Sequence, residues 1–230
     1  VQQNLILAGV GGQGILTIAQ AISYAALQRG MHIKQAEVHG MSQRGGDVQS
    51  HLRISTQEIY SDLVPEGEAD LLIAVEPLES LRYVHYLRPD AVALSNINPY
   101  ININNYPPQE DLLERISSRP KHILIDAELF AKTAGTARAA NIVMLGAASL
   151  FLILDTHELE HAITAIFAAK GEKIVESNIK AFHIGRNAAT AYLSGLQRGA
   201  SSTAILKWLV DLNPEYIANP QDANAPKLEC

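Results

Sequence analysis

The run Asn4-Leu5-Ile6-Leu7-Ala8-Gly9-Val10-Gly11-Gly12-Gln13-Gly14 decides the fold, because an apolar strand at 4–8 passes straight into a glycine-rich turn. Directly after it, Ile15, Ile18, Ala19, Ile22 and Ala26 recur at three- and four-residue spacing, the inner face of a helix that stops near Gly30. Strand, glycine turn and helix in that order open an α/β fold. A second strand follows at 32–38. In a third, at 48–54, Val48, Ser50, Leu52 and Ile54 alternate with Gln49, His51 and Arg53. Residues 58–63 read as its hairpin partner. Strands at 69–75, 91–95 and 121–126, with helices at 77–87 and 109–117 between them, complete a Rossmann-like mixed, mostly parallel sheet buried on both faces.

From Glu128 the pattern turns helical, with spans expected at 128–134, 139–154, 158–168, 172–196 and 203–212. No repeat and no linker separates two domains. The expected organisation is one domain over 1–212, with an α/β core to about residue 135 and a helical region from about 136 to 212. Asn213-Pro214 and the polar stretch 219–230 read as a loose tail, free to dock on a partner.

Composition narrows the function classes. With 47% apolar and 18% charged residues in 230, the chain is globular rather than disordered. A net charge of −6 gives no long-range attraction for nucleic acid or an anionic membrane, so neither is an expected partner. The longest apolar stretch, 142–154, is interrupted by Gly146 and Ser149 and is too short to span a bilayer. The chain opens on a strand with no leader-like segment, so a cytoplasmic location is expected. One cysteine, Cys230, can form neither an internal disulfide nor an iron-sulfur site, which normally takes four thiolates.

The densest polar chemistry is the loop Glu37-Val38-His39-Gly40-Met41-Ser42-Gln43-Arg44-Gly45-Gly46. Gly40, Gly45 and Gly46 allow positive φ and close approach of another surface. This loop lies one helix and one strand beyond the first glycine turn, and both are expected at the same end of the sheet. Gly11, Gly12, Gln13 and Gly14, with Glu37 and residues 39 to 46, are therefore the candidate ligand- or partner-facing positions. Arg44 could offer a cationic fork to an anion, with His39, Ser42 and Gln43 as directional hydrogen-bonding groups; equally, Arg44 could be tied to Glu37 within its own loop.

Other motifs are weaker. Gly9, Gly11 and Gly14 match G-x-G-x-x-G, and Glu37 stands where a ribose-binding acid is expected. Yet Glu37 runs directly into the polar loop, and Gln13 adds a side chain to the turn. That favours a cofactor-free turn, or one facing a partner or another ligand's phosphate, over NAD. His157-Glu158-Leu159-Glu160-His161 matches H-E-x-x-H, but Asp155 or Thr156 can cap a helix there, so a solvated helix start is the better reading and no metal is expected. Tyr83, His85 and Tyr86 read as a packed, partly exposed helix face. Asn141 reads as a cap or a satisfied buried amide, and Gly185, sharing a helix with Asn178, Phe182 and Arg186, as a close helix crossing.

Taken together, GVGGQG at 9–14, EVHGMSQRGGDVQSHLR at 37–53, NIVMLGA at 141–147 and NIKAFHIGR at 178–186 resemble the gamma-type domain of ferredoxin-dependent 2-oxoacid oxidoreductases. The indolepyruvate branch is nearest, and the resemblance extends to about Leu196. It implies a beta subunit with no catalytic residue and no cofactor of its own. Its alpha partner would carry thiamine diphosphate and [4Fe-4S] clusters, decarboxylate an arylpyruvate, pass the acyl group to coenzyme A and reduce ferredoxin. Consistent with that, the chain has no GDG thiamine signature. It departs from the pattern at Asp47, where a small neutral residue is expected and a carboxylate disfavours direct phosphate contact. The alternative is a free-standing Rossmann-like nucleotide or coenzyme A binder. Self-association of the isolated chain is left open.

Overall fold

The computed structural model describes residues 1–39 and 45–212, except the side chain of His39. The expectations for Gly40, Met41, Ser42, Gln43 and Arg44, for the His39 side chain and for the tail 213–230 lie outside the described residues.

Among the described residues, β1 (Gln2–Val10), β2 (His32–His39), β3 (Asp47–Ser55), β4 (Ala69–Ala74), β5 (Leu87–Asn96) and β6 (His122–Ile125) form one sheet in the order β2-β3-β1-β4-β5-β6. The pairs β1–β4, β4–β5 and β5–β6 are parallel, and β3 runs antiparallel to both its neighbours. The mixed, mostly parallel sheet expected from sequence is observed. Its central strands are apolar throughout because both faces are covered. Leu5, Leu7, Leu71 and Ile73 face one core with α1 (Ile15–Gln28), α5 (Ala140–Ala148), α6 (Thr156–Phe167) and α7 (Glu172–Gln197). Ile6, Ala8, Leu72 and Ala74 face a smaller one with Tyr83 of α2 (Pro77–Tyr83) and Val64. α3 (Gln109–Ser117) packs on α2 and β6, α4 (Ala127–Thr133) on α5, and α8 (Ser202–Asp211) on α7.

α5 and α7 cross at backbone contact. A Cβ at Gly146 would overlap the Phe182 carbonyl, and one at Gly185 would overlap the Val143 carbonyl. The crossing expected at Gly185 is thus present, and Gly146 is its counterpart on the facing helix.

Three sequence expectations are corrected. Residues 58–63 form no strand, because both edges of β3 are already taken by β1 and β2. The backbone there is satisfied by side chains: Arg53 donates to the carbonyls of Ser61 (3.0 Å) and Leu63 (3.1 Å), and His51 Nδ1 accepts from Val64 N–H. The helix expected at 77–87 ends at Tyr83, passes through a 3-10 turn at Val84–Tyr86, and yields to β5 at Leu87. Pro89 keeps Arg88 extended, and Arg88 pairs with Asp70 on β4. The helix expected at 139–154 stops at Ala148. Beyond it the Gln3 side chain bonds the Phe151 carbonyl and the Ile153 N–H, and Arg29 donates to the Ile153 carbonyl, so this segment finds its partners outside a helix.

Candidate functional site

The sheet reverses its winding at β1. From there the chain builds outward to β3 and β2 on one side and to β4, β5 and β6 on the other, which opens a crevice at the carboxyl ends of β1 and β4. The glycine-rich stretches meet here. Val10 faces Asp47 in register, His39 faces Val48, and Gly11 N–H donates to the Gly46 carbonyl at 2.8 Å. The first turn and the described ends of the second loop, at His39 and at Gly45-Gly46, therefore lie side by side at one edge.

The first turn closes on itself and on α5. Gln13 Oε1 accepts from Val10 N–H at 2.8 Å, while Gln13 N–H donates to the Val10 carbonyl. Gly14 has φ +81°, and Asn141 donates to its carbonyl at 3.1 Å; a Cβ at Gly14 would stand 2.5 Å from Asn141 Nδ2. Asn141 is thus the satisfied buried amide that its sequence context suggests. Glu37 lines a cleft of about 270 Å³ with Gly11, Gly12, Gly14 and Leu16, at the amino end of α1.

A third loop, between β5 and α3, completes the edge and carried no sequence signal. Asn102 Nδ2 donates to the Gly45 carbonyl at 2.6 Å. Beside it Tyr100, Ile101 and Ile103 are exposed, as are Leu16 and Val38 on the two flanking elements. Five large apolar side chains therefore surround the joined turns.

Beneath them lies an acidic layer. Glu76, 1% exposed, caps α2 by accepting from Glu79 N–H at 2.9 Å, and its other oxygen accepts from the Tyr106 hydroxyl and from Tyr100 N–H. Tyr83 donates to Asp47 at 3.0 Å. Asp47 is thereby held against α2. Glu79 pairs with Arg82 at 3.1 Å; burial pushes its pKa up to about 7, with Arg82 opposing and Glu76 and Asp47 adding to the rise. Burial and then the bonds to Asp47 and Glu76 raise Tyr83 and Tyr106 respectively. The pattern Glu76-Pro77 followed by Glu79 could have marked this helix start, with its capping carboxylate and Pro at the first helical position.

Elsewhere, Asp155 caps α6 in a capping box with Glu158, whose carboxylate accepts from Asp155 N–H at 2.7 Å and pairs with Arg29 at 3.3 Å. The His161 ring lies against Tyr24. The H-E-x-x-H run is thus a capped helix start, and no cluster of His, Cys, Asp or Glu suited to a metal occurs among the described residues. None of their helices is long and apolar enough to cross a membrane.

Two clefts adjoin the first turn on its α5 side. One, of about 300 Å³, runs from Gly12, Gln13 and Gly14 to Arg138, Lys170 and Asn178. The other, of about 360 Å³, shares Gly12, Gln13, Arg138 and Asn141 with it and extends over Val75, Asn96, Tyr100 and Met144. Arg138 and Lys170 carried no local sequence signal, since only the packing of α1, α5 and α7 brings them to the turn. The edge can hold and orient a ligand or partner through backbone donors, amides and cations.

The family model described as pyruvate ferredoxin/flavodoxin oxidoreductase matches residues 4–188. The chain is 35% identical over 201 residues to the indolepyruvate oxidoreductase subunit IorB of Pyrococcus horikoshii, covering 84% of this chain and 98% of that one. Among solved structures, the gamma subunit of a keto/oxoacid ferredoxin oxidoreductase from Geobacter sulfurreducens PCA aligns with a TM-score of 0.63 at 25% identity, over 82% of this chain and 99% of that one. The 2-oxoglutarate:ferredoxin oxidoreductase of Magnetococcus marinus aligns with a TM-score of 0.67 at 22% identity, over 83% of this chain; the chain spans 31% of that longer one.

Proposed function

The chain belongs to the pyruvate ferredoxin/flavodoxin oxidoreductase family, and from that premise we propose that it is the small, non-autonomous subunit of a ferredoxin-dependent oxidoreductase of indolepyruvate and related arylpyruvates. Its partner is an alpha subunit carrying thiamine diphosphate and [4Fe-4S] clusters, which decarboxylates the oxoacid and passes electrons to ferredoxin. With one cysteine in 230 residues, this chain does not have the thiolates that such a cluster takes. Coenzyme A is the acyl acceptor, bound where the two subunits meet, and the complex works in the cytoplasm.

The observation that carries this reading is the joining of the two glycine turns by the Gly11–Gly46 hydrogen bond. Gly11, Gly12, Gln13, Gly14, Glu37, Gly45 and Gly46 thereby border one surface, and the apolar side chains around it suit burial against a second protein. The contribution of this chain is to dock, to orient the acceptor and to exclude water from the partner's reaction centre.

Co-expression with a candidate alpha chain tests the proposal. A stable complex is expected, with indolepyruvate-dependent ferredoxin reduction that neither chain supports alone. Failure to form a complex, or full activity of the alpha chain without this one, would overturn it.

A further inference from the structure

We propose that Ser202 and His122 form a nucleophile and base pair that takes the acyl group of a carboxylic ester or thioester and passes it to water. The pair stands where α8 meets the amino end of β6, at the sheet edge opposite the glycine turns. It does not depend on the partner-dependent reaction assigned above.

Hydrogen bonds fix the two roles. His122 Nδ1 stands 2.7 Å from the Arg119 carbonyl, and a carbonyl only accepts, so Nδ1 carries the ring proton. Nε2 is then the bare nitrogen, and the Ser202 hydroxyl donates to it at 2.8 Å. A serine so placed can lose its proton to the ring as it attacks, while the carbonyl orients the ring as the third member of a triad does. His122 is 7% exposed; burial lowers its pKa and the Arg119 carbonyl opposes, so the imidazole is neutral at pH 7. Tyr192 of α7 meets the ring edge-on, with centres 5.9 Å apart, which holds its plane.

The turn that presents Ser202 is sharp. At the end of α7, Gly199 has φ +85°, and the N–H groups of Gly199 and Ala200 return to the carbonyls of Leu196 and Gly195. The chain reverses there, and α8 starts at once, with Ser202 at its first position and partly exposed. The Ser201 hydroxyl accepts from Ala204 N–H at 3.2 Å, which leaves the N–H groups of Ser202 and Thr203 without an acceptor among the described residues. Free donors beside a nucleophile, at the positive end of a helix, suit the negative oxygen of an acyl-transfer intermediate. The Tyr192 hydroxyl, buried near Ser202, also has no hydrogen-bond partner among the described residues. Buried hydroxyls in that condition are rare, and this one is a further donor for the reacting group.

In the first step Ser202 Oγ bonds the acyl carbon and the bond from that carbon to the leaving alkoxide or thiolate breaks. The serine proton passes through His122 Nε2 to the leaving group. Water, giving its proton to the same nitrogen, then takes the acyl group; a carboxylic acid leaves and the Ser202 hydroxyl is restored. Nothing is oxidised or reduced.

Treatment of the full chain with a fluorophosphonate, which loses fluoride to an activated serine, followed by mass mapping of the labelled peptide, tests the pair. Ser202 should take the label while Ser201 and Thr203 beside it do not, and prior unfolding in urea should abolish the reaction. His122→Gln should slow labelling by about a hundredfold or more. Ser202→Ala should bring p-nitrophenyl acetate hydrolysis down to the rate of the unfolded chain. Labelling of Ser202 no faster than that of Ser201, equal labelling of native and unfolded protein, or an unchanged rate in folded His122→Gln would each overturn the proposal. Where His122→Gln does not fold, the comparison of native with unfolded wild type decides alone.

Discussion

Gly14 and Gly12 both have positive φ, yet a methyl group would meet different surroundings at each. At Gly14 it would press on Asn141 Nδ2 at 2.5 Å, whereas at Gly12 nothing lies within 4 Å. Gly12→Ala should therefore lose only the backbone term, about 1–2 kcal/mol, and Gly14→Ala roughly 1–3 kcal/mol more, as read from urea denaturation. Equal losses would mean that the Asn141 contact is unimportant. Glu79 adds a pH dependence. Its folded pKa is about 7 against an ordinary value of 4.5, so the folded state holds the proton more tightly. Its contribution is fully present below pH 4.5 and is lost as pH rises through 7. Glu79→Gln should thus match the wild type near pH 4.5 and exceed it in stability by roughly 1–3 kcal/mol at pH 8. Burial holds the His51 and His122 pKa values down, which has the opposite sign. The informative quantity is therefore the difference between variant and wild type at each pH, and a constant difference would refute the assignment.

Among the elements, α5 and α7 depend most on a single small residue each. The would-be Cβ atoms of Gly146 and Gly185 meet backbone carbonyls, which cannot rotate aside as a side chain can. Gly185→Ala should cost at least about 3 kcal/mol or prevent folding, with Gly146→Ala similar, measured by denaturation midpoint and yield of folded protein. A melting temperature within a degree or two of wild type would show that the helices can part. Elements also set the limit of what sequence can say. β1, its turn and α1 were legible because their signal is local: alternating burial, glycine spacing and helical periodicity lie within 25 residues. Residues 58–63 have a strand's composition, but whether they pair depends on whether β3 has a free edge, and β1 and β2 occupy both. The stop of α5 at Ala148 depends on Gln3 and Arg29, more than a hundred residues away.

For the whole molecule the consequential surface is the carboxyl edge, where Leu16, Val38, Tyr100, Ile101 and Ile103 stand exposed around the joined turns. Ile101, 73% exposed, and Leu16, 49% exposed, can take a charge without disturbing the core. Leu16→Glu and Ile101→Glu should leave the melting temperature of the isolated chain within about 2 °C of wild type. Each should weaken association with the alpha chain by about tenfold or more, as read by sedimentation or surface binding. Undiminished association in the double variant would move the docking face elsewhere. Leu27 and Val210 are also exposed, on α1 and α8, and Leu27→Glu with Val210→Glu serves as the control expected to keep full association.

By itself the sequence determined the α/β class, the first glycine turn, the capped start of α6 and the helix crossing at Gly185, because each is written in residues close together in the chain. It also placed Asp47, Asn141 and the 37–46 run in the motifs that carry the family resemblance. Only the tertiary structure decided that Asn141 clamps Gly14, that Asn102 ties a third loop to Gly45, and that Arg138 and Lys170 share a cleft with the turn. The reason is physical: short-range periodicity selects the elements, whereas the convergence of helix ends and loops at one sheet edge follows from strand order and the packing of α1, α5 and α7, which no local pattern records.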